Sequence, residues 1–264
     1  RSIMTRPGET MTIAITRPVS PAISRCELTH IDRKPIDLDR AIQQHGAYER
    51  CLAELGCRVV SLPPEPELPD AVFVEDAAVV VDELAVLTRP GAPSRRAETA
   101  SVGRALAEFR PLGRIEAPGT LDGGDVLRLG RRFLVGQTGR SNAPGIDMLR
   151  TLLAPHGYTV EAVPVRGCLH LKSAVTRVAE NAVLLNPAWV DAAAFAPSTC
   201  VEVDPAEPHA ANALVVGQTV VVAAAYPCTA ARLEAMGLRV VRLDMSELAK
   251  AEGALTCCSL ILEG

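Results

Sequence analysis

The sequence predicts an α/β ring built from five similar units, and three observations predict it. A pattern of strand, tight turn, strand, helix and strand recurs with a period of about 40 residues, the signature of a propeller or solenoid whose units cannot bury their apolar faces alone. Four copies are complete between residues 76 and 243. The segments left over, a C-terminal strand and an N-terminal strand, helix and strand, supply a fifth copy closed by the two chain ends. Closure of this kind removes exposed sheet edges.

The elements follow in order. Ile13–Thr16 reads as a strand. Asp37 is placed as an N-cap for a helix running to about Leu55, with Ala41, His45, Tyr48, Leu52 and Leu55 at helical spacing and Gly56 ending it. Arg58–Leu62 is a strand stopped by Pro63-Pro64. The first full unit has strands Ala77–Val81 and Leu84–Thr88, a helix over Ser94–Phe109 and a strand at Arg114–Ala117. The second has strands Val126–Leu129 and Phe133–Gly136, a helix over Ala143–Ala154 and a strand at Thr159–Val165. The third has strands Ala174–Val178 and Ala182–Asn186, a short helix near Val190–Phe195 and a strand at Cys200–Val203. The fourth has strands Ala213–Val216 and Val220–Ala223, a helix over Thr229–Met236 and a strand at Arg239–Leu243. Asp82-Glu83, Gly130-Arg131, Glu180-Asn181 and Gly217-Gln218 are the turns within the hairpins. A last strand, Cys258–Leu262, returns to the first. Side-chain alternation along it would send Cys257 and Cys258 to opposite faces.

Composition narrows the function classes. The chain has 264 residues, 48% of them hydrophobic, which is enough for a sizeable core. A net charge of −4 and an aromatic content of 3% argue against a nucleic-acid partner, which wants basic tracks and stacking platforms. No apolar run is long enough for a membrane span, and no secretory leader is read at the N-terminus. The eight cysteines are scattered and include no C-x-x-C pair, so reduced thiols and a cytoplasmic location are expected. Residues 1–11 are read as a disordered extension and 12–264 as one catalytic domain.

The repeat also predicts where chemistry collects. Each unit carries polar residues just before its first strand: Glu75 and Asp76, Asp122 and Asp125, His170 and Lys172, His209 and Asn212, then Cys257. Equivalent positions of a radial array converge on one end of the axis. A cysteine, a histidine and several carboxylates would then share a pocket. A thiolate is a nucleophile, and a neighbouring cation lowers the thiol pKa. Histidine can protonate a leaving amine and then activate water. Clustered carboxylates need a cation, and a guanidinium matches them in pairs. The set therefore favours attack on a guanidinium carbon over attack on a neutral amide. Singly, each residue has a plainer reading: Gly123-Gly124 as a turn, His170 as a structural histidine, His209 and Asn212 as caps of the fourth unit. Arg95 and Arg96 open a helix where basic residues oppose the macrodipole, which a carboxylate-bearing ligand would explain, with Arg140 as a second contact.

Five linked motifs carry a resemblance. Leu68-Pro69-Asp70-Ala71-Val72-Phe73-Val74-Glu75-Asp76, Thr88-Arg89-Pro90-Gly91-Ala92-Pro93-Ser94-Arg95-Arg96, Gly119-Thr120-Leu121-Asp122-Gly123-Gly124-Asp125, Leu169-His170-Leu171-Lys172 and Leu255-Thr256-Cys257-Cys258-Ser259 resemble the dimethylarginine dimethylaminohydrolases, in order and over nearly the whole chain. The resemblance implies the fold of the guanidino-group-modifying enzymes, a five-bladed, pseudo-fivefold α/β propeller. It implies hydrolysis of Nω-methylated arginines to citrulline plus methylamine or dimethylamine, without a cofactor. It assigns Cys257 as nucleophile, His170 as general acid and then base, and Asp122 as the partner that orients His170. Glu75 and Asp76 would hold the guanidinium, with Phe73 in the same motif. Asp70 and the carbonyls of Leu28 and Ala251 would receive the α-amino group, and Arg95 and Arg140 the α-carboxylate. Some bacterial members carry Glu where Asp122 stands. Zinc, as an inhibitor, would use Cys257. The loop near Arg25–His30 is expected to cover the site, and the protein to be a monomer or homodimer. Two rivals remain open at this point: an arginine deiminase, which shares the nucleophile but carries an extra helical domain, and a non-catalytic guanidino-compound binder.

Overall fold

The computed structural model describes residues 11–263. The expectation for residues 1–11 lies, Met11 apart, outside them. The elements run β1 (Ile13–Thr16), α1 (Leu38–Glu54) and β2 (Arg58–Ser61), then β3 (Ala78–Val80), β4 (Ala85–Leu87), α2 (Thr99–Leu106) and β5 (Leu112–Arg114). There follow β6 (Val126–Leu129), β7 (Arg132–Gln137), α3 (Ala143–Leu153) and β8 (Thr159–Pro164), then α4 (Leu171–Ala174), β9 (Val175–Ala179), β10 (Ala182–Leu185) and β11 (Thr199–Glu202). The chain continues through β12 (Leu214–Val216), β13 (Thr219–Ala223), α5 (Pro227–Ala235), β14 (Arg239–Leu243), α6 (Ser246–Ala249) and β15 (Leu260–Leu262).

These strands make five three-stranded sheets. In each, the first pair is antiparallel and the second parallel. Antiparallel neighbours need only a short turn, whereas parallel ones need a crossover, which explains the helix after every hairpin. The turns Gly130-Arg131 and Gly217-Gln218 begin on residues with φ of 62° and 57°, the left-handed backbone that two-residue hairpin loops require. The fifth sheet is assembled from both ends of the chain: β15 pairs antiparallel with β1, Ile13 opposite Leu262 and Ile15 opposite Leu260, and β2 lies parallel on the other side. The innermost strands β3, β6, β9, β12 and β15 face one another around the axis, with β15 against β3 and β9 against both β6 and β12. The result is the five-bladed, pseudo-fivefold α/β propeller.

The core lies between sheets and outer helices. In the second blade Ile146, Leu149 and Leu153 of α3 pack on Phe133 and Val135 of β7. Asp37 caps α1 by accepting from Arg40 N at 3.0 Å. Asn142 caps α3, accepting from Gly145 N at 2.9 Å. On the buried side of α1, Tyr48 Oη meets Ser259 Oγ at 2.7 Å, tying this helix to the segment that follows Cys257.

Several boundaries shift by a residue or two, and four elements differ more from the sequence reading. The helix expected over 94–109 is a 3-10 stretch, Pro93–Glu98, followed by the shorter α2. The tighter winding delivers Arg95 to internal acceptors. β5 begins at Leu112 rather than Arg114, because the register Ala85–Leu112 is set by β4; Gly113, a poor strand former, hid it. The short helix near Val190–Phe195 is a 3-10 turn, Ala192–Phe195, capped by Asp191. Cys257 and Cys258 are not in a strand but in a 3-10 turn, Thr256–Cys258, ahead of β15. They still diverge: Cys257 is half-buried and Cys258 fully buried in the core.

Candidate active site

One helical turn precedes the inner strand in four of the blades: Val74–Ala77, Gly123–Asp125, Leu171–Ala174 and Thr256–Cys258. The first of these touches both the second and the last, and the second touches the third. Asp76, Asp122, His170 and Cys257 ride on these turns or at their starts. Cys257 and His170 thereby line one narrow cleft of about 20 Å³, together with Asp70, Phe73, Asp76, Arg95, Arg140, Ala251, Glu252 and Gly253.

His170 is the centre of the charge arrangement. Its Nε2 lies 3.0 Å from Asp122 Oδ2 and its Nδ1 3.9 Å from Asp76 Oδ1. Burial works against an imidazolium, but Asp76, Asp125 and Asp122 together outweigh it and raise the pKa to about 9. Asp122 is fully buried, and its short side chain spans the distance to His170. Gly91 N donates to its other oxygen at 2.8 Å, and its own N–H donates to Ser141 Oγ at 3.1 Å. Gly124 is required for the close fit, since a Cβ there would stand 2.6 Å from His170 Nδ1 and 2.8 Å from Asp76 Oδ1. Behind the imidazole, Asp125 accepts from Leu171 N at 2.9 Å, Ser141 Oγ at 2.6 Å and Thr138 Oγ1 at 2.7 Å. Burial pushes the Asp125 carboxyl up to about 6 even so.

Asp76 behaves oppositely. Burial would raise its pKa, but His170, Arg95 and the Gly124 N–H, which donates at 2.8 Å, hold it well below the usual carboxylate range. Arg95 is buried and engaged by Asp76, by both Glu98 oxygens at 3.1 and 2.8 Å, and by the carbonyls of Asp70 and Phe73. The Cys257 thiol is pushed far up by burial and then by the charges of Glu75 and Asp76. At neutral pH, then, the site holds a neutral thiol, an imidazolium and an ionised Asp76.

The remaining expected residues fall as follows. Asp70 is buried and accepts from Glu27 N at 3.1 Å. Arg140 donates to Thr29 Oγ1 at 3.1 Å and stands 3.8 Å from Asp122 Oδ2. The Phe73 ring packs against Gly253, where a Cβ would come within 2.1 Å of it. Leu28, half-buried, packs against the core beside the cleft, and Ala251 lines it. Glu75 is not among the residues lining the cleft, although its charge acts on the Cys257 thiol. Its carboxylate accepts from Lys172 Nζ at 2.5 Å and Thr256 Oγ1 at 2.8 Å, and it lines a larger cavity of about 360 Å³ along the axial strands. Lys172 draws it there. Asn212 donates to the Lys172 carbonyl and to Thr256 Oγ1, while His209 is exposed against the Trp189 ring, so both belong to the structure of the fourth blade. The clustered donors that could hold a metal among the described residues are Asp76, Asp122 and His170, and Cys257 is not in the group.

Two carboxylates escaped the sequence reading. Glu98 clamps Arg95 from three residues on, a spacing that would have flagged it. Glu252 binds backbone N–H groups of a distant loop, for which a sequence carries no signal.

No family model matches the sequence. The chain is 40% identical over 250 residues to a protein of Streptomyces coelicolor named N(G),N(G)-dimethylarginine dimethylaminohydrolase, covering 94% of this chain and 96% of that one. A protein of the same name from Pseudomonas aeruginosa is 36% identical over 226 residues, covering 85% and 89%. The solved structure of a cysteine-to-serine variant of the Pseudomonas aeruginosa enzyme in complex with citrulline superposes with a TM-score of 0.91 at 33% identity, covering 96% of this chain and all of that one.

Proposed function

The chain belongs to the dimethylarginine dimethylaminohydrolase family, and on that premise we propose that it hydrolyses Nω-methylated arginines to citrulline plus methylamine or dimethylamine, with Cys257 as nucleophile. The substrate's guanidinium sits over Asp76, the carboxylate held most firmly in its ionised form. Its positive charge offsets the acids that keep the Cys257 thiol protonated, so the sulfur gives its proton up to solvent as substrate binds, His170 being already protonated. The thiolate attacks the guanidinium carbon. His170, an imidazolium oriented by Asp122, protonates the methylated nitrogen as the C–N bond breaks, and the amine departs. A thiouronium on Cys257 remains. The now neutral His170 takes a proton from water, the hydroxide adds to the same carbon, and the sulfur leaves as the hydroxyl proton passes to it, giving citrulline and the free thiol.

The other end of the substrate is read as an amino acid. Asp70 and the carbonyls of Leu28 and Ala251 receive the α-amino group. Arg140, whose guanidinium donates to Thr29, is the freer cation for the α-carboxylate; Arg95 would have to share itself with Asp76 and Glu98. One observation supports the reading above the rest: Cys257 and His170 line one cleft, with Asp122 on Nε2 of the imidazole. The test is citrulline release from asymmetric dimethylarginine, monomethylarginine, arginine and agmatine. Turnover of the two methylated substrates, lost in Cys257→Ser, is expected. A preference for arginine would make the protein a deiminase, and activity surviving in Cys257→Ser would remove the mechanism.

A further inference from the structure

A single side chain fastens the loop at residues 27–30 to the wall that carries Ala251. The two oxygens of Glu252 accept one hydrogen bond each, from Thr29 N at 2.6 Å and His30 N at 2.7 Å. Glu252 does this with φ of 55°, the one left-handed residue other than glycine among the described residues. Such a backbone persists only where its surroundings over-determine it. Here they do: Gly253 is pinned beneath the Phe73 ring on one side, and the loop holds the carboxylate on the other.

The placement has a consequence for recognition. Leu28 immediately precedes Thr29, and Ala251 immediately precedes Glu252. We propose that Glu252 is a positioning residue: by joining these two segments it sets the spacing of the Leu28 and Ala251 carbonyls and so governs recognition of the substrate's α-amino group. The inference rests on the function proposed above, in which those carbonyls receive that group. The Glu252 oxygens hold the loop against the wall of the cleft that Ala251 lines. Asp70, which accepts from Glu27 N, is a second point that holds it.

The experiment compares the wild type with Glu252→Ala and Glu252→Gly on two substrates: asymmetric dimethylarginine, and the same molecule with hydrogen in place of the α-amino group. Glu252→Ala should raise KM for dimethylarginine on the order of tenfold with kcat within about threefold, the mark of lost uniform binding. KM for the desamino analogue should move by less than about twofold, because it has no group for the carbonyls to hold. Glu252→Gly, free of backbone strain, should show the same split, since what is lost is the carboxylate; either variant decides if the other folds poorly. Recovery of wild-type KM in Glu252→Gly, or equal effects on both substrates, overturns the inference while leaving the function in place. Failure of the wild type to release citrulline from dimethylarginine overturns the function, and the inference with it.

Discussion

Replacing Asp122 by Asn tests the charge arrangement around His170 most directly. The two side chains meet at 3.0 Å, and both are buried, so solvent does little to screen them. A hydrogen bond to an ionised partner contributes about 1.5–3 kcal/mol, and one pKa unit corresponds to about 1.4 kcal/mol. Losing this contribution should lower the His170 pKa by about one to two units, from about 9 to about 7–8, with Asp76 and Asp125 still in place. The sign follows from the charges: a carboxylate favours the imidazolium, so its removal lets the ring lose its proton at lower pH. Because the protonated ring delivers the proton to the departing amine, the alkaline limb of kcat should move down by the same interval. At neutral pH, kcat should fall on the order of a hundredfold, since the Gly91 N–H keeps the amide oxygen and turns the NH2 group toward the ring, which loses its orienting acceptor. Two measurements check this: imidazole titration by NMR, with His170 assigned by its loss in a His170→Gln variant, and a citrulline pH–rate profile. A His170 resonance in the wild type titrating at or below the ordinary histidine value, or one unmoved by Asp122→Asn, would refute the reasoning.

Other expectations follow from the same geometry. Gly124→Ala should cut kcat on the order of a hundredfold, because the new Cβ lands 2.6 Å from His170 Nδ1; citrulline assay with a melting curve separates this from misfolding. Glu98→Ala should cost about 3–5 kcal/mol in urea unfolding, since it strips a buried guanidinium of its bidentate partner; a change below about 1 kcal/mol would mean that Arg95 finds another acceptor. Thiolate absorbance assigned as the difference between wild type and Cys257→Ser should be absent at neutral pH in the substrate-free protein, because burial and the neighbouring acids raise the thiol; a thiolate already present there would contradict activation by substrate. Cys258→Ser should retain turnover while destabilising the fold by about 1–3 kcal/mol, as it places a hydroxyl in a core position that is 0% exposed.

Much of this architecture was legible because each blade repeats a simple grammar. Apolar alternation, a two-residue turn and a capped helix are local signals, and Asp37, Gly130 and Gly217 act as the sequence suggests. Convergence of Asp76, Asp122, His170 and Cys257 was legible because they occupy equivalent places in successive units. What failed was whatever depends on a partner distant in sequence. Two adjacent cysteines beside an apolar run look like a strand, yet Thr256 is held by Glu75 and Asn212, and that fixes a 3-10 turn. Glu75 and Asp76 are neighbours in one acidic motif, but Lys172 draws one to the axial cavity while Arg95 and Gly124 hold the other at the cleft. Arg95 reads as a helix-start cation suited to a carboxylate-bearing ligand, and its burial against Glu98 and Asp76 was not legible.

The fifth sheet dictates an order of assembly. β15, which follows Cys257, finds its place only against β1, a segment that leaves the ribosome some two hundred and forty residues earlier. The blades between them can fold as they are made. The sulfur, however, has no seat beside the imidazole until β15 is in place against β1. The pairing that seals the circle is therefore the same one that brings nucleophile and imidazole to a common cleft.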